Sequence, residues 1–190
     1  MTSTDAMQSR PAPTDAADST LTIIGIDPGL QCTGFALLRG ESPQPPRLLE
    51  AGVIRLNPSD AMELRLLELD RGLAKLIDQH APSHLACEQL YAHYKHPRTA
   101  ILMGHARGVI LAAAARREVR IIDIPSTHAK KMLTGSGRAS KSQMQRAVAA
   151  TLGLAALPEP HDVADAIAIG LCGLQARLTQ LRSAAGGAPA

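Results

Sequence analysis

The chain has 190 residues, of which 45% are hydrophobic and 2% aromatic, and its formal net charge is +3. This length suits one well-packed domain, and no apolar run is long enough to predict a membrane-spanning helix. Cys32, Cys87 and Cys172 are odd in number and form no CxxC pair. They argue against a disulfide framework or a thiolate zinc site and indicate a reducing cytoplasm.

Both ends of the chain are predicted to be disordered. Residues 1–19 are rich in Ser, Thr, Ala, Pro and Asp without apolar periodicity, and residues 183–190 are small and contain Gly and Pro. The N-terminus also lacks the basic segment followed by an apolar core that marks a secretory signal. The folded domain is therefore expected over residues 20–182.

The first predicted element is a strand that ends in a carboxylate. Residues 21–26 include four apolar and mostly β-branched side chains, Leu21, Ile23, Ile24 and Ile26, which is typical of a strand buried on both faces, and Pro28 and Gly29 end it. Residues 33–38 return as the second strand of a hairpin. Ionised carboxylates are seldom buried without a partner or a metal, so Asp27 is a candidate for chemistry. From this segment alone, a turn-capping aspartate is an equally good interpretation.

A third strand and an amphipathic helix follow. Residues 47–56 complete an antiparallel meander. The helix is predicted to be capped by Ser59 or Asp60 and to stop before Pro82, because its apolar residues recur at spacings of three and four.

A second acid lies near the end of the next predicted strand, residues 84–90. Glu88 stands at the C-terminal end of an apolar run, as Asp27 does in the first strand. Right-handed crossover through the intervening helix makes the two strands parallel and adjacent. The two acids then meet at the sheet edge where open α/β sheets build their sites, which favours a functional site over two solvated carboxylates.

The remaining predicted elements alternate helices with one more strand. They are a long apolar helix at 100–117, a strand at 119–124, a short helix from 125 to about 133, a helix at 141–152 and a last helix from about 161 to 181.

Two further acids open the last helix. Asp162 and Asp165 are three residues apart and share one face of its first turn. In isolation, such acids equally serve to cap free amides and to complement the helix dipole. Together with Asp27 and Glu88 they make four carboxylates that one sheet and one helix can gather.

Four gathered carboxylates repel one another unless cations neutralise them. An all-oxygen ligand set favours Mg²⁺, with Mn²⁺ as a substitute. Two such ions about 4 Å apart activate a water and stabilise the leaving oxygen in a phosphodiester displacement. The constellation therefore predicts metal-dependent hydrolysis of a nucleic-acid backbone.

The order of elements resembles the RNase H-like nuclease superfamily, an α/β three-layer fold. Its five-stranded mixed sheet has three antiparallel strands followed by two parallel strands, and helices flank it. Within the superfamily, five motifs resemble the RuvC family of bacterial Holliday-junction resolvases. They are GIDPG with TG (25–34), EQLY (88–91), GHARG (104–108), KK with GSG and KSQ (130–143), and DVADA (162–166).

The resemblance implies roles for individual residues. The catalytic and metal-binding acids, holding two Mg²⁺ ions, are Asp27, Glu88, Asp162 and Asp165. Lys130 and Lys141 match basic residues that contact DNA or assist chemistry at the scissile phosphate. Tyr91 matches an aromatic residue that stacks at an opened base pair of the junction, and rings and lysines suit such contacts.

The implied activity is that of a crossover junction endodeoxyribonuclease, which resolves four-way DNA junctions in two symmetry-related strands during recombination and repair. A homodimer suits a substrate with two equivalent strands. Residues 100–115, whose Gly104 and Gly108 allow close backbone packing, are the predicted dimer face. RuvA and RuvB are candidate branch-migration partners, in the cytoplasm and without membrane attachment.

Two features depart from the family pattern, and two other functions compete. Residues 92–99 differ from the usual segment, which leaves junction contacts and base preference open. His161 is extra, as a loop or cap residue or as an auxiliary ligand. The competing functions are a junction-binding protein without catalysis and an actin-like ATPase. The intact acids argue against the first, and the single domain argues against the second.

Overall fold

The fold is known from a computed structural model that describes residues 20–90 and 97–186. Its strands are β1 (Leu21–Asp27), β2 (Cys32–Gly40), β3 (Arg47–Arg55), β4 (His84–Glu88) and β5 (Arg120–Ile124). They form one sheet in the order β3-β2-β1-β4-β5. β1, β2 and β3 pair antiparallel, whereas β4 pairs parallel with both β1 and β5. The predicted mixed sheet is confirmed.

Five helices complete the described part of the chain: α1 (Met62–His80), α2 (Pro97–Ala115), α3 (Ser126–Thr134), α4 (Lys141–Leu152) and α5 (His161–Gly186). Within the same residues, no helix combines the length and apolarity needed to cross a membrane.

Several predicted boundaries differ from the structure. β4 ends at Glu88, and α2 begins at Pro97, since a proline fits the first turn of a helix, where its missing N–H has no partner to lose. α5 runs to Gly186, so residues 183–186 are helical where disorder was predicted. The predicted tails at 1–19 and 187–190 lie outside the described residues.

The predicted cap of α1 is wrong. The N-cap residue is Ala61, which makes no side-chain cap. Ser59 and Asp60 belong to a turn before the helix, where the Ser59 N–H donates to Asn57 Oδ1 at 3.1 Å and Asn57 Nδ2 donates to Asp60 Oδ1 at 2.9 Å. Asx turns of this kind compete with helix caps for the same polar side chains.

The sheet lies between two helical layers, each with its own apolar core. Ile23 of β1 belongs to the core formed with α3, α4 and α5, whereas Ile24 and Ile26 belong to the core formed with α1 and α2. All three side chains are fully buried. A central strand covered on both faces requires a continuous apolar run, as the sequence of β1 has.

Main-chain contact joins α5 to the two strands beneath it. A Cβ atom at Gly25 of β1 would lie 2.3 Å from the carbonyl oxygen of Ala166 and 2.5 Å from the amide nitrogen of Gly170. A Cβ at Gly34 of β2 would lie 2.1 Å from the carbonyl oxygen of Asp162. The first turns of α5 therefore rest on the backbone of β1 and β2.

Substituting Gly25 by Ala should push α5 away from β1, because the clashing atoms belong to the main chain and cannot rotate aside. We expect Gly25→Ala to lower the free energy of unfolding by ~1–3 kcal/mol or more, as overpacking does. Denaturant unfolding measures this loss. Gly137→Ala is the matched control, since its Cβ would lie 3.4 Å from the Thr127 carbonyl oxygen, an ordinary contact. Equal losses in the two variants would contradict the packing argument.

Candidate active site

Asp27 and Glu88 lie side by side at the ends of two parallel strands. Each is the last residue of its strand, and the β1–β4 ladder pairs Ile26 with Cys87 immediately before them. Their side chains are hydrogen-bonded to each other. The predicted meeting of the two acids at one sheet edge is therefore present in the structure.

A third acid, Asp165, comes from the first turn and a half of α5. Asp27, Glu88 and Asp165 line one narrow cavity of about 100 Å³. Its other lining residues are Ser126, Ala129, Lys130, Met144, Ala168 and Ile169. Such a space holds a few waters or ions but no organic cofactor.

Asp162 lies beside this cavity rather than in its lining. Its charge raises the pKa of both Asp27 and Asp165, so it is close to both. Its side chain is hydrogen-bonded to the thiol of Cys32, at the start of β2. The structure thus brings all four predicted acids into one region, with Asp162 at its margin.

The crowding of carboxylates keeps a proton in the site. Burial, followed by the charges of Glu88, Asp165 and Asp162, raises the pKa of Asp27 to about 8. Burial also raises the pKa of Glu88, against the lowering effect of hydrogen bonds from Ser126 and Asp27. At neutral pH, the pair therefore keeps a proton that Asp27 and Glu88 share.

Two lysines face the acids from the other side. Burial raises the pKa of Asp165, and the charges of Lys130 and Lys141 oppose that rise. Lys130 lies on α3 and lines the cavity. Lys141 is the first residue of α4, which starts with a capping box between Ser140 and Gln143. Positive charge therefore stands beside the carboxylates on the α3–α4 side.

Two other residues were singled out in the sequence, Tyr91 and His161. Tyr91 lies outside the described residues, as do residues 92–96. His161 is the exposed first residue of α5, and its charge lowers the pKa of Asp165. Its role as a cap residue or an auxiliary ligand stays open.

The donor set suits a hard divalent cation. Among the described residues, no group of three or more His, Cys, Asp or Glu side chains is placed so that it could hold a metal ion as it stands. The chemistry of the side chains nevertheless fits. Three carboxylates line one small cavity, where burial and the charges of the neighbouring carboxylates raise the pKa of Asp27. A divalent cation would relieve that repulsion, and Mg²⁺ and Mn²⁺ prefer oxygen ligands.

The sequence reasoning missed two contacts of Glu88. Ser126 is hydrogen-bonded to its side chain, and Arg107 Nη1 donates to its carbonyl oxygen at 2.8 Å. Ser126 follows the end of β5, next to β4, so the strand-end rule that pointed to Glu88 would also have pointed there. The contact of Arg107 leaves no comparable signal in the sequence.

Comparisons with known proteins agree with this geometry. The family described as Crossover junction endodeoxyribonuclease RuvC matches residues 23–173. A relative of that name from Rhodopirellula baltica is 53% identical over 151 residues, covering 80% of this chain and 84% of its own. Another from Salinispora arenicola is 36% identical over 163 residues, covering 86% and 93%.

Among solved structures, Thermus thermophilus RuvC in complex with Holliday junction substrate matches with a TM-score of 0.76 and 28% identity. The match covers 84% of this chain and 96% of that one. The mixed sheet with acids at its strand ends defines the class as an RNase H-like nuclease fold. The chain belongs to the RuvC family of crossover junction endodeoxyribonucleases.

The raised pKa of Asp27 predicts a pH-dependent loss of stability. Its ordinary value is 3.8 and its folded value about 8, so unfolding releases a proton between these pH values. In the metal-free protein, the contribution of Asp27 to the free energy of unfolding therefore falls as the pH rises from about 4 to about 8. Above that pH the contribution is constant.

We expect Asp27→Asn to raise the melting temperature in a chelating buffer by at least ~2 °C at pH 8, with the gain vanishing near pH 4. Thermal unfolding from pH 4 to 9 measures this. Asp78→Asn is the control, since a hydrogen bond from Arg117 lowers the pKa of Asp78 and its loss should bring no gain. A pH-independent effect of Asp27→Asn would refute the assigned ionisation.

Proposed function

We propose that this chain resolves four-way DNA junctions by metal-dependent hydrolysis of one phosphodiester bond in each of two symmetry-related strands. The observation that carries the proposal is the convergence of Asp27, Glu88 and Asp165 on one small cavity, with Asp162 beside it. Membership of the RuvC family and the likeness to a structure that contains a Holliday junction support the choice of substrate.

The four acids are the proposed ligands of two Mg²⁺ ions, for which Mn²⁺ can substitute. The chemistry such ions supply when bound is activation of a water and stabilisation of the leaving 3′-oxygen. Carboxylates bind metal in the ionised form, so the proton shared by Asp27 and Glu88 must leave the pair first. The raised pKa of Asp27 therefore makes ligation easier at alkaline pH.

Lys130 and Lys141 are the proposed phosphate contacts. Both are close enough to Asp165 to lower its pKa, so a backbone phosphate at the acids would also meet these two ammonium groups. Attraction of this kind does not depend on base sequence, which suits a substrate recognised by its branched shape. Tyr91 as a stacking residue and RuvA and RuvB as partners stay predictions.

Removing one acid should separate binding from cleavage. We expect Asp27→Asn to bind a synthetic four-way junction with a dissociation constant within about threefold of wild type, because it removes a metal ligand and not a DNA contact. Cleavage in excess Mg²⁺ should fall by at least ~10³-fold. Gel-shift and single-turnover nicking assays measure the two quantities.

Asp78→Asn serves as the control for that experiment, since Asp78 lies on α1 and pairs with Arg117. It should cut at the wild-type rate. Cleavage by Asp27→Asn within tenfold of wild type would contradict the metal role. If wild-type protein binds junctions but does not cut them in Mg²⁺, the result would support the alternative function of a junction-binding protein without catalysis.

A homodimer through α2 is proposed to supply the second active site. Ile101 of α2 is 60% exposed, and Leu102 is 37% exposed. A Cβ at Gly104 or Gly108 would meet no heavy atom within 4 Å. These glycines therefore do not pack closely within the described chain, and their bare, apolar face is free to meet a second copy.

Charge or bulk on that face should dissociate the dimer. We expect Ile101→Glu and Gly104→Leu to sediment as monomers at micromolar concentration, whereas wild type sediments as a dimer. Leu157→Glu is the control, because Leu157 is 47% exposed but lies between α4 and α5. A wild-type monomer in analytical ultracentrifugation would refute the α2 interface.

A further inference from the structure

We propose that Arg107 is a positioning residue that holds the carboxylate of Glu88 in place through the main chain of β4. The role rests on the metal-dependent nuclease function proposed above. Arg107 is absent from the lining of the acid cavity, so it would act through Glu88 and not on the substrate.

The guanidinium of Arg107 ties three elements together. Arg107 lies on α2, and its Nη1 donates to the carbonyl oxygen of Glu88 at 2.8 Å. Its Nη2 donates to Asp123 Oδ1 at 2.5 Å, and Asp123 is on β5. The side chain of Arg107 is only 14% exposed. One side chain therefore links α2, β4 and β5 at the end of the sheet that carries the acids.

Glu88 occupies a position that needs such support. It is the last residue of β4, and beyond it the only main-chain bond to β5 is from the Gln89 N–H to the Ile124 carbonyl oxygen, at 2.9 Å, among the described residues. A charge-assisted bond to the Glu88 carbonyl fixes the orientation of its peptide group. The Cα–Cβ direction of Glu88, from which its carboxylate extends toward Asp27, is thereby constrained as well.

Asp123 makes this arrangement possible. A guanidinium that is mostly buried is costly without a carboxylate partner, and Asp123 supplies one while staying 50% exposed. Asp123 pairs in the parallel ladder with Cys87, the residue before Glu88. The ion pair between Arg107 and Asp123 therefore connects the contact on β4 to the neighbouring strand β5. In contrast, Arg116 and Arg117, just past the end of α2, pair with Asp70 and Asp78 of α1.

Direct metal titration tests the positioning role without relying on activity. Mn²⁺ binding to the DNA-free protein is measured by electron paramagnetic resonance, and Mg²⁺-dependent cleavage is measured beside it. We expect Arg107→Met to weaken Mn²⁺ binding by ~10-fold or more, as loss of an outer contact to a metal ligand does. The Mg²⁺ concentration for half-maximal cleavage should rise similarly, while the dissociation constant for the junction in metal-free buffer stays within about twofold.

Arg117→Gln is the matched control and should keep wild-type Mn²⁺ affinity, because it loses only an ion pair to α1. Should Arg107→Met fail to fold, Arg107→Lys and Asp123→Asn replace it, and we expect each to bind Mn²⁺ more weakly than wild type. Folded variants with wild-type Mn²⁺ affinity and Mg²⁺ dependence would overturn the role. A wild-type protein that neither binds Mn²⁺ nor cuts junctions would refute the nuclease proposal, and this role with it.

Discussion

Repulsion between carboxylates is the constraint on which the rest of the structure depends. Asp27, Glu88 and Asp165 come from three elements and line one cavity of about 100 Å³, where burial and neighbouring charge raise the pKa of Asp27 to about 8. Unopposed, such groups would move apart into water. The fold prevents this because the strand ends are fixed by the β1–β4 ladder and the start of α5 is fixed on the strands below it.

The two helical layers contribute differently to the site. The α3–α4 side supplies positive charge through Lys130 and Lys141, which oppose the rise that burial causes in the pKa of Asp165. Among the described residues, the α1–α2 side supplies no group to the cavity lining, but it reaches the ends of the strands through hydrogen bonds to the main chain. Arg107 donates to the Glu88 carbonyl, and Arg65 of α1 donates to the Leu30 carbonyl, just after β1. Charge and geometry are thus provided from opposite faces of one sheet.

The sequence predicts the parts of this architecture that follow from local pattern. Apolar periodicity and crossover handedness are enough to place Asp27 and Glu88 on neighbouring parallel strands. Contacts that depend on packing in three dimensions are beyond such reasoning. The predicted cap of α1 is wrong because the Asn57 side chain accepts from the Ser59 N–H and donates to Asp60 in a turn before the helix, and the contact of Arg107 joins residues on separate elements. Gly104 and Gly108 look like close-packing residues, yet no part of the described chain packs on them.

The contact between Gly25 and Gly170 has a consequence for how the protein tolerates change. No side chain separates β1 from α5 there, so the gap between the backbones of β1 and α5 is set by the radii of main-chain atoms. Exchanging residues such as Leu69 or Ile110 in the opposite core alters stability but leaves that gap alone. Changes of packing in the α1–α2 core that keep the Arg107 contacts can therefore alter thermal stability without changing the spacing of β1 and α5.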